Sequence, residues 1–138
     1  MSNSIKLSKP NRPLFIWIVT AVNIIFAVIL LATSFKGRQW GIPAAQIAFW
    51  ALLGLGICVS TLLTWFGSRY GRNAMLALIT IYLGLVLLQS VQGITWAANS
   101  THGDGYMIRV VGRAVFAVLW LIANYWLLLG RRARIFFA

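Results

Sequence analysis

Two arginines, Arg109 and Arg113, stand four residues apart in "YMIRVVGRAVF", residues 106–116, where an apolar run begins. Residues at that spacing share a helix face, so the pair presents two cations to one neighbour. The position is costly: the charges repel each other and lie near a helix N-terminus, where the macrodipole favours negative charge. An external anion offsets both costs, and the guanidinium fork suits a carboxylate or a phosphate. By helical rise Arg113 lies about 6 Å deeper than Arg109. Three glutamines, Gln46, Gln89 and Gln92, fall at a similar depth in other apolar runs. If these faces meet, Arg109, Arg113, Gln89, Gln92 and Gln46 form a polar, cationic vestibule for an anion or a partner. The alternative is that each side chain reaches the interface alone, its apolar stem in lipid and its polar end in water.

Other chemistry finds little footing. The single histidine, His102, lies in "THGDG" beside the single acid, Asp104. A catalytic set also needs a nucleophile and oxyanion donors at defined geometry, and nothing here specifies them. The stretch reads as a glycine-rich loop with Asp104 capping the next helix. No cysteine–histidine spacing suggests a metal, and lone Cys58 reads as a small packing residue. No catalytic residue, metal or cofactor is expected. Proton coupling in a carrier needs a titratable group within the membrane. The small multidrug carriers match this length and rely on a carboxylate in the first helix, where this chain has only Asn23.

The elements that position these residues follow from composition. Of 138 residues, 61% are hydrophobic and 9% charged, against about 25% charged in a soluble domain. Lipid must therefore be the main solvent. Residues 14–33, 44–66, 74–97 and 107–129 are apolar runs long enough to cross a hydrocarbon core of about 30 Å. Their separating loops are short, which makes sequence neighbours antiparallel neighbours. The expected fold is an all-α integral membrane protein, an up-down bundle of four transmembrane helices occupying 1–138 as one domain. A membrane barrel would need alternating polarity, which these runs lack.

The net charge of +11 does not indicate nucleic acid, because the basic residues cluster at the ends of apolar runs, where they set membrane topology. Lys6, Lys9, Arg12, Arg69, Arg72, Arg131, Arg132 and Arg134 fall on one side of the membrane. Lys36, Arg38, Arg109 and Arg113 fall on the other. The larger group marks the cytoplasmic face, so both short basic tails are expected in the cytoplasm. Arg109 and Arg113 then lie on the side poor in positive charge, a third cost. Trp17, Trp40, Trp65, Trp96 and Trp126 fall near span ends, as in an interfacial belt. Trp50 and Trp120 lie deeper, where they pack between helices. Gly56, Ser60 and Thr64 repeat every four residues, a spacing that lets helices approach closely. They serve packing within the chain or a homo-oligomer.

The turn "RYGRNAMLALI" and the closing "YWLLLGRRARIFF" resemble features of small four-span bacterial inner-membrane proteins. The resemblance covers about the C-terminal half of the chain. It implies the four-helix fold, the topology and a location in the bacterial cytoplasmic (inner) membrane, and it transfers no activity. The expected function is that of a non-enzymatic membrane binding or accessory protein, in contact with lipids and another membrane protein. Two versions fit: a subunit or assembly factor of a membrane complex, or an immunity-type protein against a membrane-targeting toxin. The alternative is a small oligomeric channel or carrier for an anionic or neutral solute.

Overall fold

The computed structural model describes residues 13–99 and 104–137. The elements are α1 (Leu14–Gly37), a 3-10 turn (Arg38–Trp40), α2 (Ala44–Trp65), α3 (Arg69–Ala98), α4 (Asp104–Leu129) and α5 (Arg131–Phe136). Among the described residues there is no strand. Four helices, α1 to α4, are long and apolar enough to cross a membrane. The physical reason is that hydrocarbon offers no partner to backbone N–H and C=O groups, and a helix satisfies them within its own segment.

The helices run beyond the apolar stretches that announce them. The first continues through "SFKG" to Gly37. The third begins at Arg69, so "RYGRN" is its opening rather than a turn; Ser68 caps it, its Oγ accepting from the Gly71 amide at 3.2 Å. The chain then reverses between α1 and α2 at Gly41, whose φ of 69° lies in the left-handed region that glycine adopts without a steric cost. The C-terminal segment, expected as a tail, forms α5 instead. Gly130 breaks α4, and Ala133 and Phe137 are buried against Ile16, Val19, Met75, Leu76 and Leu128. Arg69 Nε donates to the Phe137 carbonyl at 2.9 Å, and the Arg72 guanidinium lies 5.1 Å from the Phe137 ring centroid.

Helix α1 packs along α2, α2 along α3 and α3 along α4, whereas α4 meets α1 over a shorter stretch. In the most apolar part of each span one third of the residues are buried in α1, α2 and α3 and 11% in α4. The fourth helix is therefore the most open to surrounding lipid. A central cluster joins Ala27, Leu30, Leu53, Ile57, Ile79, Leu83, Val86 and Ala117, with Trp50, Cys58 and Trp120 packed on it. Ser60 and Thr64 are buried within the chain. A methyl on Gly56 would touch Leu78 of α3 at 3.0 Å. These positions of the small-residue stripe make contacts inside the chain.

Asn23 and Asn124, both fully buried, tie α1 to α4. Asn23 Nδ2 donates to Asn124 Oδ1 at 2.8 Å and lies 3.4 Å from Met75 Sδ. Trp120 Nε1 donates to Asn23 Oδ1 at 3.0 Å, and Asn124 Nδ2 donates to the Trp120 carbonyl at 2.8 Å. The two asparagines thus bond both between helices and to backbone.

Candidate functional site

An open cavity of about 220 Å³ lies at the far end from α5, and Arg113 is among the residues that line it. Each long helix contributes through its own periodicity. On α3, Tyr82, Val86 and Gln89 line the cavity; their spacings of four and three residues place them on one face. On α1, Ile29, Leu30, Thr33, Ser34 and Gly37 do the same. Trp40 and Ile42 of the connection, with Ile47 and Trp50 of α2, close another wall. The fourth helix supplies one side chain, Arg113.

Below the cavity stands an aromatic layer centred on Phe26. Its ring lies 5.7 Å from Tyr82, 6.1 Å from Phe116 and 6.4 Å from Trp120, centroid to centroid. Beneath these rings lies the Asn23–Asn124–Trp120 network. The cavity floor is therefore packed.

Of the five side chains expected to form the vestibule, Arg113 and Gln89 line this cavity; Arg109, Gln92 and Gln46 do not. The reason is depth and register. Arg109 lies one turn nearer the start of α4, about 6 Å along the axis. Gln92 lies a turn nearer the end of α3. Gln46 precedes Ile47 by one position, about 100° round the helix, and it is Ile47 that faces inward. All five are exposed in the isolated chain. His102 lies outside the described residues.

The electrostatics of the site are one-sided. Among the described residues Arg113 is the only charged one in its lining. Among the described residues nothing hydrogen-bonds or ion-pairs with its guanidinium. The chain's one carboxylate side chain belongs to Asp104, nine residues back at the start of α4. That distance is two and a half turns, about 14 Å along the axis and half a turn round. The helix thus carries the two residues on opposite faces.

The wall hydroxyls are oriented by their own helix. Thr33 Oγ1 donates to the Ile29 and Leu30 carbonyls at 2.9 and 3.0 Å, and Ser34 Oγ donates to Leu30 at 2.7 Å. Their protons are used, so toward the cavity these oxygens act as acceptors. Arg113, the Gln89 amide, the Tyr82 hydroxyl and the indole N–H groups of Trp40 and Trp50 are the donors.

No family model, curated protein or solved structure matches this chain. The reading of the site therefore rests on its own chemistry. Among the described residues no group of three His, Cys, Asp or Glu side chains is placed to hold a metal. The cavity offers one strong cation, neutral donors and acceptors, and aromatic faces. That set binds and orients a small polar group.

Proposed function

We propose that this chain is a non-enzymatic binding or accessory protein of the bacterial cytoplasmic membrane, an up-down four-helix bundle with both termini in the cytoplasm. It holds an anionic group from outside the chain at its outer end. The observation that carries this reading is Arg113: a cation lining a cavity with Gln89, and without a hydrogen-bond or ion-pair partner among the described residues. A subunit or assembly factor of a membrane complex fits this role, as does an immunity-type protein that blocks a membrane-targeting toxin.

Helix direction is supported by what packs together. The start of α1, the start of α3 and the end of α4 share one cluster. The end of α1, the start of α2, late α3 and early α4 share the cavity. Arg69, Arg72, Arg131, Arg132 and Arg134 lie at the first of these ends, which the positive-inside rule assigns to the cytoplasm. Reporter fusions after Gly71 are expected to read cytoplasmic and fusions after Asn99 external. Readings on the same side would overturn the topology.

The reading as a channel or carrier has less support. The central cluster and the Phe26 rings fill the space between the cavity and the opposite end, and four close-packed helices leave no polar path through a single chain.

The binding role is tested by capture. Arg113→Ala is expected to insert normally and to lose co-purifying membrane components by about tenfold or more, since a hydrogen bond to a charged group contributes about 1.5–3 kcal/mol. Arg113→Lys restores part of the binding, because a point charge replaces a two-pronged donor. Wild-type capture by Arg113→Ala would show that the arginine only reaches for the interface and that the site does not exist.

A further inference from the structure

Resting on the reading that Arg113 holds an anion, we propose that the bound group is phosphoethanolamine, carried by an aminophospholipid of the outer leaflet. The cavity is divided by chemistry. Helices α3 and α4 supply the donors that suit an anion: the Arg113 guanidinium, the Gln89 amide N–H and the Tyr82 hydroxyl. A phosphodiester oxygen pair matches the guanidinium fork. On α1 the polar groups of the lining are acceptors, and Trp40 and Trp50 add ring faces and indole N–H groups beside them. Thr33 and Ser34 have given their protons to Ile29 and Leu30, and a bare anion set against those oxygen lone pairs would be repelled.

An ammonium group resolves the conflict. It donates to the Thr33 and Ser34 oxygens and is attracted to the negative faces of Trp40 and Trp50. A quaternary ammonium satisfies the rings but has no N–H for the oxygens. A glycerol headgroup supplies hydroxyl donors but no cation. Size agrees: a cavity of about 220 Å³ has room for about seven waters at roughly 30 Å³ each, on the order of a phosphate with its ethanolamine arm.

The lipid source follows from the walls. Helices α1 and α4, which carry Thr33, Ser34 and Arg113, touch over only a short stretch. Ile29 in the lining and Phe116, about a turn from Arg113 on α4, are half exposed, at 48% and 51%. Acyl chains extending from a seated headgroup would cover them.

The test uses the full-length protein in detergent micelles and an equimolar mixture of phosphatidylethanolamine, phosphatidylglycerol and phosphatidylcholine. Bound lipids are counted by native mass spectrometry. Phosphatidylethanolamine adducts are expected to exceed each of the others by about fivefold or more, the scale of one added cation–π and ammonium contact. Arg113→Ala abolishes them. Thr33→Val with Ser34→Ala keeps Arg113-dependent binding but loses the preference; Thr33 is exposed and Ser34→Ala only shortens, so folding is preserved.

Soluble phosphoethanolamine at the same concentration should displace little lipid. Full displacement would overturn the lipid source and reassign the same headgroup chemistry to a soluble ligand. Phosphatidylglycerol or phosphatidylcholine bound as well as phosphatidylethanolamine, with all of it lost in Arg113→Ala, would overturn this inference and leave the anion site standing. So would no lipid adduct with Arg113-dependent capture intact. Lipid adducts and capture both unchanged by Arg113→Ala would overturn the anion site itself.

Discussion

Replacing Gly71 by alanine is expected to destabilise the α2–α3 pair by about 1–3 kcal/mol, the range for forcing an extra carbon into a packed contact. A Cβ built on Gly71 would stand 2.7 Å from the carbonyl carbon of Leu63 and 2.7 Å from the amide nitrogen of Thr64. Both are backbone atoms of α2, so no rotamer change relieves the contact and one helix must move. Movement is resisted on both sides. Thr64 is fully buried, and the Gly71 amide is held by the Ser68 cap. Gly84, in the middle of the same helix, is the control, because a Cβ there meets nothing within 4 Å. Gly84→Ala should be neutral or stabilising by up to about 1 kcal/mol, the gain in helix propensity. Denaturant titration of both variants in mixed micelles separates the two effects. A Gly71→Ala midpoint equal to wild type would show that α3 does not approach α2 so closely.

Gly71 also shows where the sequence stops being legible. "GSRYGRN" contains two glycines, two arginines and an asparagine, and every local sign reads turn. Hydropathy measures the hydrocarbon thickness, and the apolar runs place all four long helices on that basis. It does not mark where a helix ends, because the backbone keeps bonding to itself through the headgroup layer, where charged residues are welcome. Hence α1 runs on to Gly37 and α3 starts at Arg69. Helix α5 escapes for another reason. Six residues are too few to show a period, and what holds them is distant: Phe137 lies against Arg69 and Arg72, more than sixty positions earlier in the chain.

The candidate site divides in the same way. Arg113 is visible because a lone cation in an apolar run is expensive, and Gln89 because a polar residue in a span asks for a partner. Arg109, Gln92 and Gln46 carry the same signal at the wrong depth or register. Tyr82 was findable, since it lies two turns before Gln89 on the same helix face. Thr33 and Ser34 were not. Hydroxyls bonded back to their own helix are common in membrane spans, and only the fold shows that their free lone pairs face a guanidinium across a cavity. Trp40 and Trp50 were assigned to the interfacial belt and to packing, and their exposed and partly buried rings are consistent with those uses as well as with lining the cavity.

Replacing Asn23 by leucine is expected to cost about 2–3 kcal/mol, more than the average membrane hydrogen bond of about 0.6, because of what it leaves behind. Asn124 Oδ1 and Trp120 Nε1 both bond to the Asn23 amide. With leucine there, both become unpaired in the interior of the protein, and each unmade bond carries a desolvation penalty of about 1–3 kcal/mol. Asn124→Leu removes one interhelical bond and leaves the Asn23 amide with the Met75 sulfur and the Trp120 indole as partners, so its cost should be smaller. The double variant Asn23→Leu with Asn124→Leu should cost less than the two single costs added, by about 1–2 kcal/mol, the scale of coupling between residues in one network. The consequence reaches the cavity. Helices α1 and α4 touch over only a short stretch, and the asparagine pair is the polar tie across it. Loosening the tie should let Arg113 on α4 move away from Thr33 and Ser34 on α1. Asn23→Leu is therefore expected to weaken Arg113-dependent capture although it contributes no atom to the cavity lining. Mixed-micelle unfolding reads the first effect and capture reads the second. Strict additivity of the two single variants, with capture unchanged, would show that the pair neither couples nor braces the site.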